Sequence, residues 1–272
     1  MPFKPVQLAF EKFSAAAPKK PPVLILHGLL GSRKNWRSLS QNFVSKLDRD
    51  VYNIDQRCHG DSPGVGPLSY QSLAFDTQQF MKTHGIEKAS IIGHSMGGKT
   101  AMATALMYPD MVEKLVVADN SPIYTHLPEK TKVYIKAMMR IDEANFKKQS
   151  SADKMLKEVE NDTLVRAFLL SNLRKSPENP SIFKSQIPLE LIHNSLPDLA
   201  GFSVNENGAD QYKKPTLVIK AKHSTFVPDE ALPVFKKMFP NYKLETLDCG
   251  HWVHFEKAKE FTELVVKFLS SD

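Results

Sequence analysis

Between residues 89 and 106 the chain runs from an apolar stretch, Ala89-Ser90-Ile91-Ile92, through Gly93-His94-Ser95-Met96-Gly97-Gly98, into a helix-forming segment, Lys99 to Leu106. The apolar stretch suits a strand covered on both faces, and Gly93 to Gly97 has the Gly-x-Ser-x-Gly spacing of a nucleophile elbow. Such an elbow is a sharp strand-to-helix turn that lifts the serine Oγ above the end of a sheet. The flanking Gly93 and Gly97 leave room there because they carry no Cβ. A hydroxyl is a poor nucleophile until a base takes its proton and donors receive the charge it creates. A helix opening near Met96 aims its first N–H groups at that charge. Two glycines around a serine also occur in ordinary turns. The strand before and the helix after are what make Ser95 a candidate nucleophile.

The same strand character recurs in Val23-Leu24-Ile25-Leu26, Asp50 to Asp55, Lys114 to Asp119, Thr216 to Ala221 and Lys243 to Asp248. Helical spacing marks Tyr70 to His84, with Leu73, Phe80 and Met81 on one side, then Asp229 to Met238 and Lys257 to Leu269. Val6 to Phe10 roughly alternates apolar and polar residues and predicts a half-buried edge strand. Strands alternating with helices predict an α/β fold with a mostly parallel, doubly wound sheet. From Asn120 to about Tyr212 the strand pattern stops. Helices are expected there over Thr131 to Arg140, Ala152 to Glu160 and Thr163 to Leu173, with breaks at Pro177, Pro180, Pro188 and Pro197. This segment leaves the sheet at the carboxyl end of a strand, where ligands bind in open α/β sheets. It is therefore expected to be a helical lid. The expected organisation is one domain over residues 1–272, with a core of 1–119 and 213–272 and the lid at about 120–212.

Composition narrows the partners. The net charge is +6, but the basic pairs (Lys19-Lys20, Lys147-Lys148, Arg174-Lys175, Lys213-Lys214, Lys236-Lys237) are scattered and no aromatic-basic motif accompanies them. No nucleic-acid partner is expected. No apolar run reaches the ~18 residues of a membrane span, and Met1 to Lys20 lacks the apolar core of a secretory signal. Cys58 and Cys249 are too few for a disulfide framework and form no C-x-x-C, which suits a reducing compartment. Cys249 precedes His251 by two residues and is expected to be a small buried thiol. No group of side chains has convincing metal-ligand spacing, and no cofactor is expected.

A nucleophile needs a base. His251, in Asp248-Cys249-Gly250-His251-Trp252, follows a strand, precedes the last helix and stands last in the order Ser, acid, His. His254, three residues on, is the runner-up, and His94 is too close to Ser95 in sequence to serve. The base needs a carboxylate to orient it. Asp119, at the end of an apolar strand and before Asn120-Ser121-Pro122, is the candidate, because a carboxylate there is costly unless paired. The other usual place, after the next-to-last strand, reads Ser224-Thr225-Phe226-Val227-Pro228, and Ser224 cannot ionise. Asp229 is the fallback, although it reads as the start of a helix. The oxyanion donors are expected to be the N–H groups of Met96 and of Leu29, the latter in His27-Gly28-Leu29-Leu30-Gly31-Ser32. His27 and the stretch Asp55 to Ser62 read as structural.

With these stretches in view, the chain resembles α/β-hydrolases of the α/β-hydrolase-domain-containing protein 11 type, a group that includes small bacterial esterases of the YbfF type and the yeast ethanol acetyltransferases. The matching segments are His27 to Ser32, Asp55 to Pro63, Gly93 to Met102, Val117 to Pro122 and Gly250 to His254, and the likeness is weakest in the insert. It implies an α/β-hydrolase fold and Ser95, Asp119 and His251 as the triad, with the acid after the earlier strand. Cys58 departs from the group, where relatives usually have Asn. Relatives with import signals are mitochondrial, so the expected location is intracellular, cytoplasmic or mitochondrial.

The expected activity is a serine esterase, acting through an acyl-enzyme on small-molecule esters of small to medium acyl chains. An alcohol acyltransferase or thioesterase on the same acyl-enzyme is the alternative, and a non-catalytic ligand binder ranks third. Ser95 argues against epoxide hydrolases and haloalkane dehalogenases, which place Asp at that position. Phe146, Leu164, Phe168, Leu169, Ile182 and Phe183 are the apolar insert residues available to line a pocket or to pack the insert.

Overall fold

In a computed structural model the chain is described over residues 4–204 and 211–271. The remaining parts of the expected domain organisation, residues 1–3, 205–210 and 272, lie outside the described residues. The first half comprises β1 (Phe10–Phe13), β2 (Val23–Leu26), α1 (Arg37–Leu47), β3 (Val51–Ile54), α2 (Tyr70–Thr83), β4 (Ala89–His94), α3 (Met96–Met107) and β5 (Val112–Ala118). After the insert come β8 (Thr216–Ala221), α9 (Leu232–Met238), β9 (Tyr242–Leu247), α10 (Val253–Glu256) and α11 (Ala258–Ser270). These strands form one sheet of seven in the order β1-β3-β2-β4-β5-β8-β9, with every pair parallel except β1–β3. The doubly wound, mostly parallel sheet is the one the alternation predicts.

The apolar strands read as continuous because both faces are covered. Val23, Ile25, Ile92, Val116, Leu217 and Ile219 pack with Phe43 of α1 and with Phe261 and Val265 of α11. Their neighbours Leu24, Leu26, Ile91, Leu115, Val117 and Val218 pack with Phe80 of α2, Met102 of α3 and Phe235 of α9. Residues 96 to 106 of α3 are all buried, which explains its run of Gly, Ala and Thr: small side chains let a central helix lie close to the sheet. The N-terminal edge strand lies later than its alternation suggests. It pairs at Phe10–Phe13, and Leu8 is buried short of the ladder.

Between β5 and β8 the chain forms α4 (Glu129–Ala144), α5 (Gln149–Lys157), α6 (Thr163–Leu170), β6 (Leu173–Lys175), β7 (Phe183–Ser185), α7 (Leu189–Asn194) and α8 (Leu196–Ala200). The antiparallel pair β6–β7 corrects the purely helical expectation. Strands of three residues are too short to show a period of two. The Asp162 side chain accepts the Leu164 N–H at 2.8 Å and so starts α6 where expected. The insert buries Ile135, Met138, Ile141, Leu156, Leu169 and Ile192 in a cluster continuous with Leu73 of α2 and Met96 of α3. No helix among the described residues is long and apolar enough to cross a membrane.

In the loop after β3, Arg57 forms an ion pair with Asp76 of α2, both side chains fully buried. Arg57 Nη2 donates to Asp76 Oδ1 at 2.7 Å and Arg57 Nη1 to Pro67 O at 2.9 Å, while Val6 N donates to Asp76 Oδ1 at 3.1 Å. The pair thus ties the N-terminal segment and the loop after β3 to α2. Removing one partner strands a buried charge. Arg57→Met is expected to lower unfolding free energy by about 3–5 kcal/mol. Arg57→Met with Asp76→Leu recovers most of that loss, as read from urea denaturation midpoints.

Candidate active site

Ser95 joins β4 to α3 with φ 54° and ψ −121°, a conformation costly for a residue with a Cβ. Its N–H donates to Ala118 O at 3.0 Å, which fastens the turn to β5. A Cβ on Gly97 would lie 2.1 Å from Leu26 O, and one on Gly93 would lie 2.0 Å from Gly97 O. Both glycines are therefore required by close approach of backbone to backbone.

The structure brings Ser95, His251 and Asp119 together. Ser95 Oγ lies 2.9 Å from His251 Nε2, and His251 Nδ1 lies 2.6 Å from Asp119 Oδ2. The carboxylate assigns the proton to Nδ1, which leaves the Nε2 lone pair facing the Ser95 hydroxyl. Asp119 is fully buried and follows β5 with φ 49°. Its second oxygen accepts the Ala221 N–H at 2.9 Å, so both carboxylate oxygens are satisfied.

Three contacts hold the His251 loop, and none left a sequence signal. His94 Nε2 donates to His251 O at 2.9 Å, the Phe226 ring stacks on the imidazole at 4.2 Å, and Glu256 Oε2 accepts the Gly250 N–H at 2.8 Å. His94, set aside as a candidate base, thus braces the loop that carries the other candidate, His251. His254 stacks on Trp36 with ring centroids 4.3 Å apart, while His251 is the ring that reaches Ser95. Burial pushes the His254 imidazole down to about 3, and burial first, then the neighbouring His254 and His251, holds His94 well below the usual histidine range. Both stay neutral beside His251.

The fallback acid, Asp229, is 88% exposed and pairs with Lys220 at 3.1 Å. Ser224 Oγ accepts the Phe226 N–H at 3.3 Å. His27 is structural, as its position suggests: Nδ1 donates to Gly28 O at 2.8 Å and Nε2 accepts the Gln56 N–H at 3.1 Å. Asp55 accepts the N–H groups of Arg33 and Asp61 at 2.6 and 2.9 Å, which holds the stretch from Asp55 to Ser62 in shape. Cys58 lies in that stretch at φ 63°, a left-handed conformation that asparagine adopts readily.

Two cavities meet at Ser95. The larger, about 560 Å³, is lined by Trp36, Phe226, His251 and Trp252 on one side and by Leu164 and Phe168 of α6 on the other. Leu169 also lines it, whereas Phe146, Ile182 and Phe183 of the insert do not. The smaller, about 20 Å³, is lined by Leu29, Met96, Leu127, Leu199 and Phe226 together with the polar residues Tyr70, Lys99, Asn120 and Thr125, and not by His251. Leu29 lines both, and Met96 is the first residue of α3, where an N–H has no acceptor within its helix.

Cys249 packs with the α1 and α11 face of the sheet, and burial pushes its thiol, like that of Cys58, up to about 11. Thiolate is the reactive form. Neither cysteine is expected to react with iodoacetamide in the native protein at about pH 8, and both react once guanidinium unfolds it, as counted by intact mass.

Residues 21–258 match the family model described as alpha/beta hydrolase fold. The chain is 61% identical over 271 residues, covering 100% of both proteins, to an Abhydrolase domain-containing protein of Schizosaccharomyces pombe. It is 34% identical, over 97% of this chain and 83% of the other, to the protein named sn-1-specific diacylglycerol lipase ABHD11 of Danio rerio. It is 35% identical, over 92% and 77%, to a "Probable alcohol acetyltransferase" of Saccharomyces cerevisiae. Among solved structures, one titled "Marine microorganism esterase" superposes with a TM-score of 0.87 at 33% identity, covering 97% of this chain and 99% of that one.

Proposed function

Because the chain belongs to the alpha/beta hydrolase fold family, we propose that it cleaves carboxylic esters through an acyl-enzyme on Ser95. The observation that carries this is the unbroken chain from Ser95 Oγ through His251 to Asp119, opening onto an apolar cavity. His251 Nε2 takes the Ser95 proton as Oγ attacks the acyl carbon. The N–H groups of Leu29 and Met96 receive the developing oxyanion. The alcohol departs with the proton from His251, and water, deprotonated by the same nitrogen, releases the acid. Asp119 holds the imidazole in its tautomer and stabilises the imidazolium. The insert acts as the lid, and the unpaired Cys58 and Cys249 suit an intracellular setting, cytoplasmic or mitochondrial.

The cavities suggest which side of the ester goes where. The leaving alcohol must lie within reach of His251, which lines the larger cavity. The acyl substituent then faces the smaller one, whose 20 Å³ holds about one water or methyl group. This favours short acyl groups on bulky, apolar alcohols. Two relatives carry names for ester chemistry, a diacylglycerol lipase and an alcohol acetyltransferase, which supports an acyl–oxygen reaction here. The second name, with a cavity able to hold an alcohol beside the acyl-enzyme, favours alcohol acyl transfer as a second reading. There, an alcohol takes the acyl group before water does.

Ser95→Ala is expected to abolish the burst with p-nitrophenyl acetate, and Asp119→Asn to lower kcat by about 10³–10⁴-fold. Asp229→Asn leaves turnover near wild type. A wild-type protein without burst or turnover on any ester would refute the assignment, and ester formed on adding ethanol, at the expense of free acid, would favour transfer. With reciprocal esters, octyl acetate is expected to exceed ethyl octanoate in kcat/KM by at least about tenfold. The reverse order would place the acyl chain in the larger cavity.

A further inference from the structure

Lys99 stands one turn beyond Ser95 on α3 and is 1% exposed. Its ammonium donates to three carbonyl oxygens: Ile123 at 2.9 Å, Ala200 at 2.8 Å and Gly201 at 2.9 Å. Ile123 lies where the chain enters the insert, and Ala200 and Gly201 lie where it leaves α8 to return towards β8. Thr125 N also donates to Ala200 O at 2.8 Å, so the entering and leaving segments meet there. Tyr70 completes the junction. Its ring centroid is 5.7 Å from Nζ, and its hydroxyl donates to Leu199 O at 2.7 Å.

A buried ammonium without a carboxylate is an expensive way to fill a core, where methionine would occupy similar space. No ion pair among the described residues includes Lys99, and burial pushes its pKa down to about 7. The three carbonyl acceptors are what favour the charged form. Only an ammonium offers three donors from one atom, and here three carbonyls from both ends of the insert receive them.

We propose that Lys99 is a positioning residue: its ammonium fastens both ends of the insert to the helix that presents Ser95, and so fixes the insert wall over the site. Leu127, Pro128 and Thr131 follow Ile123 closely and line the larger cavity; Leu127 lines the smaller one too, as do Tyr70, Lys99 and Thr125 of the junction itself. Loosening the junction moves that wall. It leaves the Ser95–His251–Asp119 chain, built on β4, β5 and the loop after β9, in place. Substrate binding therefore suffers more than the chemistry. The kinetic half of this statement rests on the proposed esterase activity; the structural half does not.

The test compares wild type with Lys99→Met by hydrogen exchange, read in peptides covering residues 120–128 and 196–204 against peptides of β4 and β5, together with kcat and KM on an ester that wild type turns over. Exchange in the two junction peptides is expected to rise by at least about tenfold while β4 and β5 stay protected. KM is expected to rise about tenfold with kcat changed less than about threefold. Unchanged exchange at the junction, or a rise spread evenly through the molecule, overturns the proposal. So does a fall in kcat at constant KM. If Lys99→Met does not fold, Lys99→Gln, which keeps two N–H donors, is read by the same criteria. If wild type turns over no ester, the esterase assignment fails and the exchange result alone decides for or against Lys99.

Discussion

The end of β2 and the start of α3 approach each other so closely that backbone touches backbone. A Cβ on Gly97 would sit 2.1 Å from Leu26 O. That contact forces the elbow into a tight turn, and Ser95 takes a positive φ because the chain has no other way from strand to helix in the space left. The same approach sets the loop after β2, with Leu29, beside Met96 at the helix start. Position of the hydroxyl and position of the nearby N–H groups follow from one steric fact. The strain at Ser95 is held by what surrounds it: Ala118 O on its N–H, and a helix whose residues 96 to 106 are all buried.

The rings nearest His251 carry no charge. His94 and His254 stay neutral near His251, and of these three rings only His251 has a carboxylate partner. Asp119 stands at a fully buried strand end, where the Ala221 N–H and His251 Nδ1 each bond one of its carboxylate oxygens. With the carboxylate partner of His251 standing after β5, the loop after β8 supplies none. Phe226 in that loop contributes a ring face to the imidazole instead.

The sequence made most of the sheet legible because burial on two faces leaves unbroken apolar runs. Thr216 to Ala221 forms a strand with the same bounds that its apolar run has in the sequence, between Pro215 and Lys222. Ser95, His251 and Asp119 were legible as neighbours because each stands where a strand gives way to something else, and because a carboxylate at an apolar strand end calls for a partner. What spacing alone left open was His251 against His254, since both follow the same glycine. The Trp36 ring settles their orientation, and Trp36 is more than two hundred residues away in the chain. The β6–β7 hairpin was hidden by its length. The roles of His94, Glu256 and Lys99 were hidden because each acts on backbone groups, and a carbonyl leaves no letter in a sequence.

The entering and leaving segments of the insert lie side by side, joined by the Thr125 N–H to Ala200 O hydrogen bond. Seen from the sheet, some seventy intervening residues amount to a single tight loop. The entropy of closing a loop grows only slowly with its length, so helices can be added, shortened or exchanged above that neck at small cost to the sheet below. What must be kept is the face that packs on Leu73 of α2 and Met96 of α3. A chimera that cuts at the neck and keeps that face would exchange the wall over the cavity while leaving the turn at Ser95 as it is, and the neck, more than any helix boundary, is the natural seam of this molecule.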